Sequence, residues 1–356
     1  MNTPLTVALI GYGYWGPNVA RNVTASESTE LVAICDVDEV AVARATRLHP
    51  GVRVTRSVGE VLSDPRIDAV VVAVPMRLHH SLGLEALHAG KHVLVEKPLA
   101  TTVAECDELL EAAAARNLTL MVGHTFLFNG AVRRVRQYLD DRELGRPYYV
   151  SMRRTNLGIV RADGNAMWSL APHDVSILRY WLPQAPLHVS ATGACHLQEG
   201  IEDVVFMTIT FEDGIVGHIH ASWLEPNKVR DATVVGDRKM VVYDDTAPEA
   251  KLRLYDKGIE RRSVDAGDVR KSGLGEYESF SRFQMIARAG DVLIPKLDLR
   301  EPLLLEIDHF AACARGAAEP LADGVAGRAV VAVLEAGQLS LESNGEPREV
   351  KDKVHV

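Results

Sequence analysis

The sequence lacks the features that mark several classes of protein. Its four cysteines, Cys35, Cys106, Cys195 and Cys313, lie far apart and form no CxxC pair. This spacing argues against a disulfide framework or a zinc site and suits a reducing compartment. No apolar run approaches the roughly 18 residues that span a bilayer, and the N-terminus has no basic segment of the kind that opens a signal peptide. We therefore expect a soluble, cytoplasmic protein with no membrane attachment.

The chain also has no excess of positive charge. It carries 39 Lys and Arg against 48 Asp and Glu, a formal net charge of −9. Proteins that bind nucleic acids usually show a basic excess or a basic stripe, so we expect no nucleic-acid partner. With 356 residues, 47% of them hydrophobic, the chain is long enough to bury a large core without disulfides or metal, and its length favours two domains.

The first third of the chain alternates short apolar runs with helical patterns. Strands are predicted at 5–10, 31–36, 69–74, 91–96 and 118–123, and helices near 15–25, 38–48, 78–89 and 102–116. Nearly continuous apolar strands that alternate with helices are typical of a parallel, doubly wound sheet. The sequence therefore predicts an α/β protein whose first domain, residues 1–123, is a Rossmann-type sheet.

The pattern changes after Gly123. Strands are predicted at 146–154, 203–211, 215–223, 231–236 and 239–244, and helices near 129–142, 168–182, 300–315 and 326–342. The turn sequences at 212–214 and 236–238 predict antiparallel hairpins. Residues 124–356 are therefore predicted to form a second α/β domain with a mainly antiparallel sheet, whose C-terminal helix packs back on the first domain. Residues 272–279 are the candidate for a mobile loop.

A glycine pattern follows the first predicted strand. Gly11, Gly13 and Gly16 form GxGxxG, and Asp36 ends the second strand 20 residues after the last of them. Such a loop turns tightly, lets the backbone approach a pyrophosphate and presents a helix N-terminus to its oxygens. Asp36 can accept hydrogen bonds from ribose hydroxyls and would repel a 2′-phosphate. The pattern predicts a dinucleotide site that takes NAD rather than NADP.

A second motif lies at the C-terminal end of a predicted parallel strand, the edge where open α/β sheets bind ligands. Glu96, Lys97 and Pro98 occur there. The proline confines Lys97 to an extended conformation, so its ammonium group can be aimed at a ligand.

With these motifs the sequence resembles one family over essentially its whole length. GYGYWGPN (11–18), HHSLGLEALHAGKHVLVEKPLA (79–100), GHTFLF (123–128) and APHDVSIL (171–178) resemble the glucose–fructose oxidoreductase/inositol dehydrogenase/rhizopine catabolism (Gfo/Idh/MocA) family. The resemblance implies hydride transfer at a sugar or polyol carbinol, Lys97 and His173 as catalytic residues, and a cis peptide before Pro98. It also implies a Rossmann domain, followed by a second α/β domain whose open, mainly antiparallel sheet forms a homodimer or homotetramer.

Finer features resemble the branch that oxidises C3 of nucleotide-linked hexoses, often before an aminotransferase acts. These features are GYWGPN, GHTFLFN, RRTNLG (153–158) and the APHD setting. Alternative substrates are a free polyol such as inositol, or a sugar attached to an aglycone as in aminoglycoside maturation. A third alternative is a non-catalytic NAD-binding sensor.

The motifs and the resemblance together give a set of expected site residues. We expect His173 to act as general base and Lys97 to stabilise the developing oxyanion. Expected cofactor contacts are Gly11, Tyr12, Gly13, Tyr14, Trp15, Gly16, Asp36, Pro75, His79, Glu96 and Lys97. Expected substrate contacts are His124, Arg154, Asn156, Arg161 and Asp174, with Arg153 as a further candidate, since arginine suits bidentate contact with phosphate. We expect no metal site, because His218 and His220 share a strand face without carboxylate or cysteine neighbours.

One position departs from the family pattern. The family commonly has Asp four residues before the catalytic histidine, and this chain has Ser169. Helical positions 169 and 173 share a face, so an Asp there would orient the imidazole, whereas a serine hydroxyl can only hydrogen-bond. Ser169 is expected either to cap its helix, with Pro172 in the first turn, or to support His173.

Overall fold

The computed structural model describes residues 3–158, 160–263 and 283–352. Its first sheet has six parallel strands in the order β3-β2-β1-β4-β5-β6. The strands are β1 (Leu5–Ile10), β2 (Thr29–Cys35), β3 (Arg53–Thr55), β4 (Ala69–Val72), β5 (His92–Glu96) and β6 (Leu120–Gly123). The helices between them are α1 (Gly16–Ala25), α2 (Glu39–Leu48), α3 (Val58–Leu62), α4 (His79–His88) and α5 (Val103–Ala114).

The parallel, doubly wound sheet predicted from the sequence is confirmed. β4 is buried at all four of its positions, because helices cover both faces of the sheet. β3 and α3 were not predicted; they have three and five residues, too few to show a clear hydrophobic period. The strand order reverses between β1 and β4, and ligands of such sheets bind at this point, beyond the carboxyl ends of the strands.

The second sheet has nine strands in the order β16-β13-β12-β11-β7-β10-β9-β8-β17. They are β7 (Pro147–Leu157), β8 (Pro186–Ala194), β9 (Val204–Phe211), β10 (Val216–Ser222), β11 (Leu224–Gly236), β12 (Met240–Asp244), β13 (Leu252–Tyr255), β16 (Val292–Leu293) and β17 (Arg348–Glu349). β14 (Gly258–Ser263) and β15 (Phe283–Arg288) form a separate pair. The remaining helices of the described chain are α6 (Gly130–Asp140), α7 (Ala166–Trp181), α8 (Pro302–Ala314) and α9 (Gly324–Glu342).

The predicted, mainly antiparallel second sheet is also confirmed. Both expected hairpins are present, β9 with β10 and β11 with β12, while β10 pairs with β7 in parallel. The candidate mobile loop at 272–279 lies outside the described residues.

One face of the second sheet is covered and the other is open. Trp181 of α7 and Val333 of α9 share a core with Val150 and Ile219 of the covered face. On the opposite face Phe206 is 44% exposed, and its ring stacks on His220 with centroids 4.4 Å apart.

The C-terminal helices contact both sheets. Phe310 of α8 shares a core cluster with Leu9 of β1, and a side chain at Gly327 of α9 would lie 2.4 Å from Val122 of β6. α9 is long and apolar enough to cross a membrane by length and composition alone. However, 67% of its apolar window is buried inside the protein, which is the pattern of a core helix.

Candidate active site

A cavity of about 1080 Å³ lies between the two sheets, at the carboxyl ends of the parallel strands. The sequence-predicted site residues in its wall are Gly13, Tyr14, Trp15, Pro75, His79, Glu96, Lys97, Arg154, Asn156, Arg161 and His173. The predicted residues outside its wall are Gly11, Tyr12, Gly16, Asp36, His124, Arg153 and Asp174. The structure therefore brings both expected catalytic side chains to one cavity with most of the expected cofactor contacts.

The glycine loop closes the turn between β1 and α1. Gly11 has a φ of +99°, and a side chain there would lie 2.2 Å from the carbonyl oxygen of Ala73. A side chain at Gly16 would lie 2.5 Å from the carbonyl oxygen of Gly11. A side chain at Gly13, by contrast, would meet no atom within 4 Å. The ends of the loop are therefore packed tightly, and its middle is open to a ligand.

The first turn of α1 can bind an anion. Its N-cap residue, Trp15, makes no side-chain capping hydrogen bond, so backbone N–H groups of the first turn remain available. Helix N-termini bind phosphates through such groups and through the partial positive charge of the helix end. With the open face at Gly13, this arrangement fits the pyrophosphate of NAD.

Asp36 follows β2 beside the glycine loop. Its Oδ2 accepts a hydrogen bond from the backbone N–H of Tyr12 at 2.5 Å, and its Oδ1 accepts one from the N–H of Asp38 at 2.9 Å. These two bonds fix the carboxylate at the edge of the loop. Because a carboxylate accepts about four hydrogen bonds, Asp36 retains sites for ribose hydroxyls.

Arg44 supports the glycine loop, and the sequence reasoning missed it. One guanidinium nitrogen donates to the carbonyls of Tyr12 and Gly13, the latter at 2.9 Å. The guanidinium also lies over the buried Tyr12 ring, 5.2 Å from its centroid. Tyr12 is fully buried, so its side chain supports the loop from behind. No motif pointed to Arg44, because it lies on α2, about 30 residues after the loop.

We expect Arg44→Ala to weaken NAD binding by about 10-fold, because a hydrogen bond from a charged donor contributes roughly 1.5–3 kcal/mol. The dissociation constant of NAD, measured by calorimetry, checks this result. Arg47→Ala is the matched control, since Arg47 is exposed on the same helix. Equal NAD affinities for the two variants would contradict the role given to Arg44.

Lys97 is held at the end of β5. The Lys97–Pro98 peptide bond is cis, as the family resemblance implied. The Lys97 ammonium donates to the carbonyl oxygen of Ser169 on α7 at 2.9 Å. His79, the first residue of α4, places Nδ1 2.6 Å from the carbonyl oxygen of Pro98 and Nε2 2.9 Å from that of Val74. His79 thus ties the loop after β4 to the turn that carries Lys97.

The pKa of Lys97 is set by two opposing effects. Enclosure in protein lowers the pKa of Lys97 to about 8, against the opposing attraction of Glu96. Burial also raises the pKa of Glu96, whose carboxylate accepts a hydrogen bond from the Trp15 indole. A lysine with such a pKa can gain or lose its proton near neutral pH.

His173 meets Lys97 in the same cavity. Its ring contacts Phe126 edge-on, with centroids 4.9 Å apart, and its buried Nδ1 has no hydrogen-bond partner within the described chain. Burial, followed by the positive charges of Lys97 and Arg154, lowers the pKa of His173 well below its ordinary value. The imidazole is therefore neutral at physiological pH, the form that accepts a proton.

Ser169 acts through its backbone. α7 begins at Ala166, and Asn165 is its N-cap, with a side chain that accepts from the N–H of Trp168. The expectation that Ser169 caps the helix is therefore wrong, and Pro172 lies inside the helix rather than in its first turn. Among the described residues, no hydrogen bond joins the Ser169 hydroxyl to His173; the Ser169 carbonyl instead accepts from Lys97.

His124 lies behind the cavity wall. It is 1% exposed, and both ring nitrogens are buried without a hydrogen-bond partner in the described structure. Burial, with the charge of Lys97, lowers its pKa to about 3. His124 is therefore a neutral side chain behind Lys97, and it does not contribute to the cavity surface.

Arg154 and Asp174 form a buried ion pair. Two nitrogens of Arg154 lie 2.7 and 3.0 Å from Asp174 Oδ1, and the two side chains are 5% and 2% exposed. The guanidinium also lies over the Phe126 ring, 4.5 Å from its centroid. Arg154 reaches the cavity wall with its charge already paired, and Asp174 is its structural partner rather than a group of the wall.

Of the other two predicted arginines, one lies in the cavity wall and the other lies on the second sheet outside it. Arg161 lines the cavity and pairs with Asp163 at 2.9 Å. Arg153 pairs with its cross-strand neighbour Asp231 at 2.5 Å, on β7 and β11. Arg161 therefore lies in the cavity wall and Arg153 lies outside it.

Two cations of β11 in the cavity wall were not predicted. Lys228 is exposed there and pairs with no carboxylate in the described parts of the chain. Arg230 is half-buried and lies 3.5 Å from Asp245. Both precede the predicted strand at 231–236, so the sequence pattern left them in an unassigned segment.

Within residues 3–158, 160–263 and 283–352, no group of three or more His, Cys, Asp or Glu side chains could hold a metal ion. His218 lies 3.5 Å from the Thr208 hydroxyl, and His220 stacks on Phe206.

Comparison with known proteins matches both parts of the chain. Residues 5–124 match the family model described as "Oxidoreductase family, NAD-binding Rossmann fold", and residues 132–242 match "GFO/IDH/MocA C-terminal domain". The scyllo-inositol 2-dehydrogenase (NAD(+)) of Bacillus subtilis is 25% identical over 336 residues, 90% of this chain and 89% of that protein. Alignments with three other curated relatives cover 58%, 59% and 68% of those proteins.

Two solved structures resemble the chain over nearly its full length. GenD2 from gentamicin A biosynthesis, in complex with NAD, is 25% identical with a TM-score of 0.79 and covers 98% of this chain and 97% of its own. The UDP-N-acetylglucosamine 3-dehydrogenase GnnA from Acidithiobacillus ferrooxidans shares the fold. It is 24% identical with a TM-score of 0.77, over 96% of this chain and 99% of its own.

Proposed function

The chain belongs to the GFO/IDH/MocA family as an NAD-dependent sugar or polyol oxidoreductase, and we propose that it oxidises C3 of a nucleotide-linked hexose to the 3-keto sugar, ahead of transamination. The cations Arg161, Lys228 and Arg230 carry this proposal, because they line the same cavity as Lys97 and His173. Arginine and lysine in a cavity wall suit the phosphates of a nucleotide. A free polyol has no charge for them to meet.

The proposed chemistry needs a hydride acceptor, a proton acceptor and a group that stabilises negative charge on the carbinol oxygen. NAD⁺, when bound, supplies the hydride acceptor. His173 takes the hydroxyl proton, because its imidazole is neutral. Lys97, aimed by its hydrogen bond to Ser169, holds the carbinol oxygen and stabilises the charge that develops there.

A free polyol is the second candidate, and one observation favours it. Arg154, an expected phosphate contact, is already paired with Asp174, so fewer cations remain for a diphosphate. The substrate class is tested by following NADH formation with enzyme near stoichiometric to NAD⁺. The panel consists of UDP-glucose, UDP-N-acetylglucosamine, myo-inositol and an aminoglycoside. High enzyme concentration is needed because formation of a 3-keto sugar can be unfavourable.

We expect the pair of substitutions Lys228→Ala and Arg230→Ala to raise the KM for a UDP-sugar by about 10- to 100-fold, since each removes a charge-assisted hydrogen bond to phosphate. Steady-state kinetics at saturating NAD⁺ measure the change. Lys239→Ala is the control, because Lys239 pairs with Glu143 and is not part of the cavity wall. If the enzyme oxidises inositol but no UDP-sugar, and the pair of substitutions leaves this activity unchanged, the substrate is a free polyol and the proposal is wrong.

A further inference from the structure

The imidazole of His173 is held without a hydrogen bond. In the described parts of the chain, no group hydrogen-bonds to either of its ring nitrogens, and Nδ1 is buried without a partner. The nearest candidate, Ser169 one helical turn earlier, contributes only its carbonyl, to Lys97. A histidine that takes up protons usually has its ring fixed by a hydrogen bond at the second nitrogen. For His173, packing must supply that constraint.

The orientation of this ring decides whether it can act as a base. Because Nδ1 is buried, Nε2 is the nitrogen left to take a proton from a ligand in the cavity, whose wall contains His173. A half-turn about the Cβ–Cγ bond places Cε1 where Nε2 was, and this carbon has no lone pair to accept a proton. That torsion has two broad minima in histidine, so the groups that touch the ring must choose between them.

Phe126 touches the ring of His173. It belongs to one turn of 3₁₀ helix, Thr125–Phe128, that follows β6, and it lies in the cavity wall with His173. The two rings meet edge-on, with centroids 4.9 Å apart and planes at 64°. Aromatic rings at separations of roughly 4.5–7 Å favour this arrangement over a face-to-face one. The contact therefore restricts the angle of the imidazole.

Phe126 is itself fixed from several directions. It packs against the core of the second sheet. The guanidinium groups of Arg154 and Arg230 lie 4.5 and 5.9 Å from its ring centroid, within the range of about 6 Å for attraction between a cation and a ring. Arg154 is held in turn by Asp174, which follows His173 in α7. The contacts thus form a closed circuit that begins and ends at adjacent residues of one helix.

We propose that Phe126 is a positioning residue that holds the His173 ring with Nε2 toward the substrate. It does by packing what a hydrogen-bonded carboxylate does for the histidine base of a Ser-His-Asp triad. Phe126 acts only through His173 and touches none of the reacting atoms. The inference rests on the proposed function, in which His173 takes the hydroxyl proton. The state of the ring, however, is measured without any sugar.

The first test is the NMR spectrum of the histidine rings in the full-length protein with NAD⁺. The signals of His173 are identified by their loss in His173→Gln. We expect one sharp set in the unmodified protein. Phe126→Leu removes the aromatic ring and keeps an apolar side chain, so it is expected to broaden or double this set as the imidazole exchanges between two orientations. Phe206→Leu is the matched control, because Phe206 stacks on His220 outside the cavity wall.

The second test is turnover of a sugar that the unmodified enzyme oxidises. We expect Phe126→Leu to lower kcat by about 10- to 100-fold, since misplacement of a reacting group by about 1 Å costs on the order of 10²-fold. The KM for the sugar and the dissociation constant of NAD⁺ are expected to stay nearly unchanged. Phe126→Tyr, which keeps the ring, should restore most of the turnover and the single set of signals. If Phe126→Leu does not fold, Phe126→Met provides the same comparison, since methionine fills irregular gaps in cores.

Three results would overturn the proposal. A single sharp set of His173 signals in Phe126→Leu would show that other contacts hold the ring. A rise in the KM for the sugar, or in the dissociation constant of NAD⁺, with kcat unchanged would show that Phe126 contacts a ligand directly. Equal losses of kcat in Phe126→Leu and Phe206→Leu would show a general loss of structure. If no sugar is oxidised at all, the proposed function is wrong, and the ring signals still decide the role of Phe126.

Discussion

Replacing Lys97 with methionine is expected to lower turnover by about 10³-fold, with NAD affinity changed only a few-fold. A preorganised donor to a developing oxyanion typically contributes 10²- to 10³-fold. In the proposed mechanism Lys97 also holds the hydroxyl that His173 deprotonates. Methionine keeps an apolar stem of similar length and removes the charged group. Single-turnover kinetics and a parallel titration with NAD⁺ separate the loss of chemistry from a loss of binding.

The pH dependence of the unmodified enzyme tests the same assignment. The pKa of Lys97 is lowered to about 8, chiefly by burial. In the proposed mechanism the ammonium form stabilises the oxyanion, so kcat/KM for oxidation is expected to fall as the pH rises through about 8. The pKa of His173 is lowered well below its ordinary value, so the acid limb is expected below the usual histidine range near ~6.5. Activity that continues to rise above pH 9 would contradict the role of the ammonium, as would near-normal turnover of Lys97→Met.

Replacing Asp174 with alanine is expected to reduce the free energy of unfolding by about 3–5 kcal/mol. This is the usual cost of leaving one partner of a buried ion pair uncompensated. Arg154 would remain 5% exposed with its charge unpaired, and the remaining Phe126 contact cannot replace a carboxylate. Equilibrium unfolding in denaturant, followed by circular dichroism, measures the change.

Two further variants test whether the loss of stability comes from leaving a buried charge unpaired. Asp163→Ala breaks the more exposed pair with Arg161 and is expected to cost at most about 1 kcal/mol. The double substitution Arg154→Met/Asp174→Leu removes both charges, and replacement of a buried pair by apolar groups is often neutral. We therefore expect it to regain most of the stability that Asp174→Ala loses. A double variant no more stable than Asp174→Ala would show that the cost lies in packing rather than in the unpaired charge.

The fold and the cofactor half of the site could be predicted because their signals are local. A parallel strand buried on both faces must be apolar throughout, as in β4, and so it is visible without knowledge of its neighbours. The glycine loop is recognisable within six residues, because Gly11 and Gly16 leave no space for a side chain. Lys97 was found for the same reason, since its motif ends a strand at the edge where such sheets bind ligands.

The substrate half could be predicted only in part, because long-range pairing decides what an arginine does there. Arg154 and Arg161 both suited phosphate recognition by residue type. Both side chains line the cavity, but the folded chain pairs Arg154 with a buried carboxylate 20 positions away, whereas Arg161 pairs with its near neighbour Asp163 in a more exposed position. Lys228 was not predicted as a site residue, because it precedes the alternating segment by which β11 was recognised.

The sequence by itself thus determined the parallel and antiparallel sheets, the NAD-binding loop and the presence of Lys97 and His173. These depend on hydrophobic period, on glycine geometry and on short motifs, which a linear chain displays directly. Only the tertiary structure decided that Arg44 holds the glycine loop, that Ser169 serves Lys97 through its carbonyl and that Phe126 contacts His173. Each of these contacts joins residues more than 30 positions apart. The hydrogen bonds and pKa values of such groups depend on burial and on neighbours that exist only once the chain has folded.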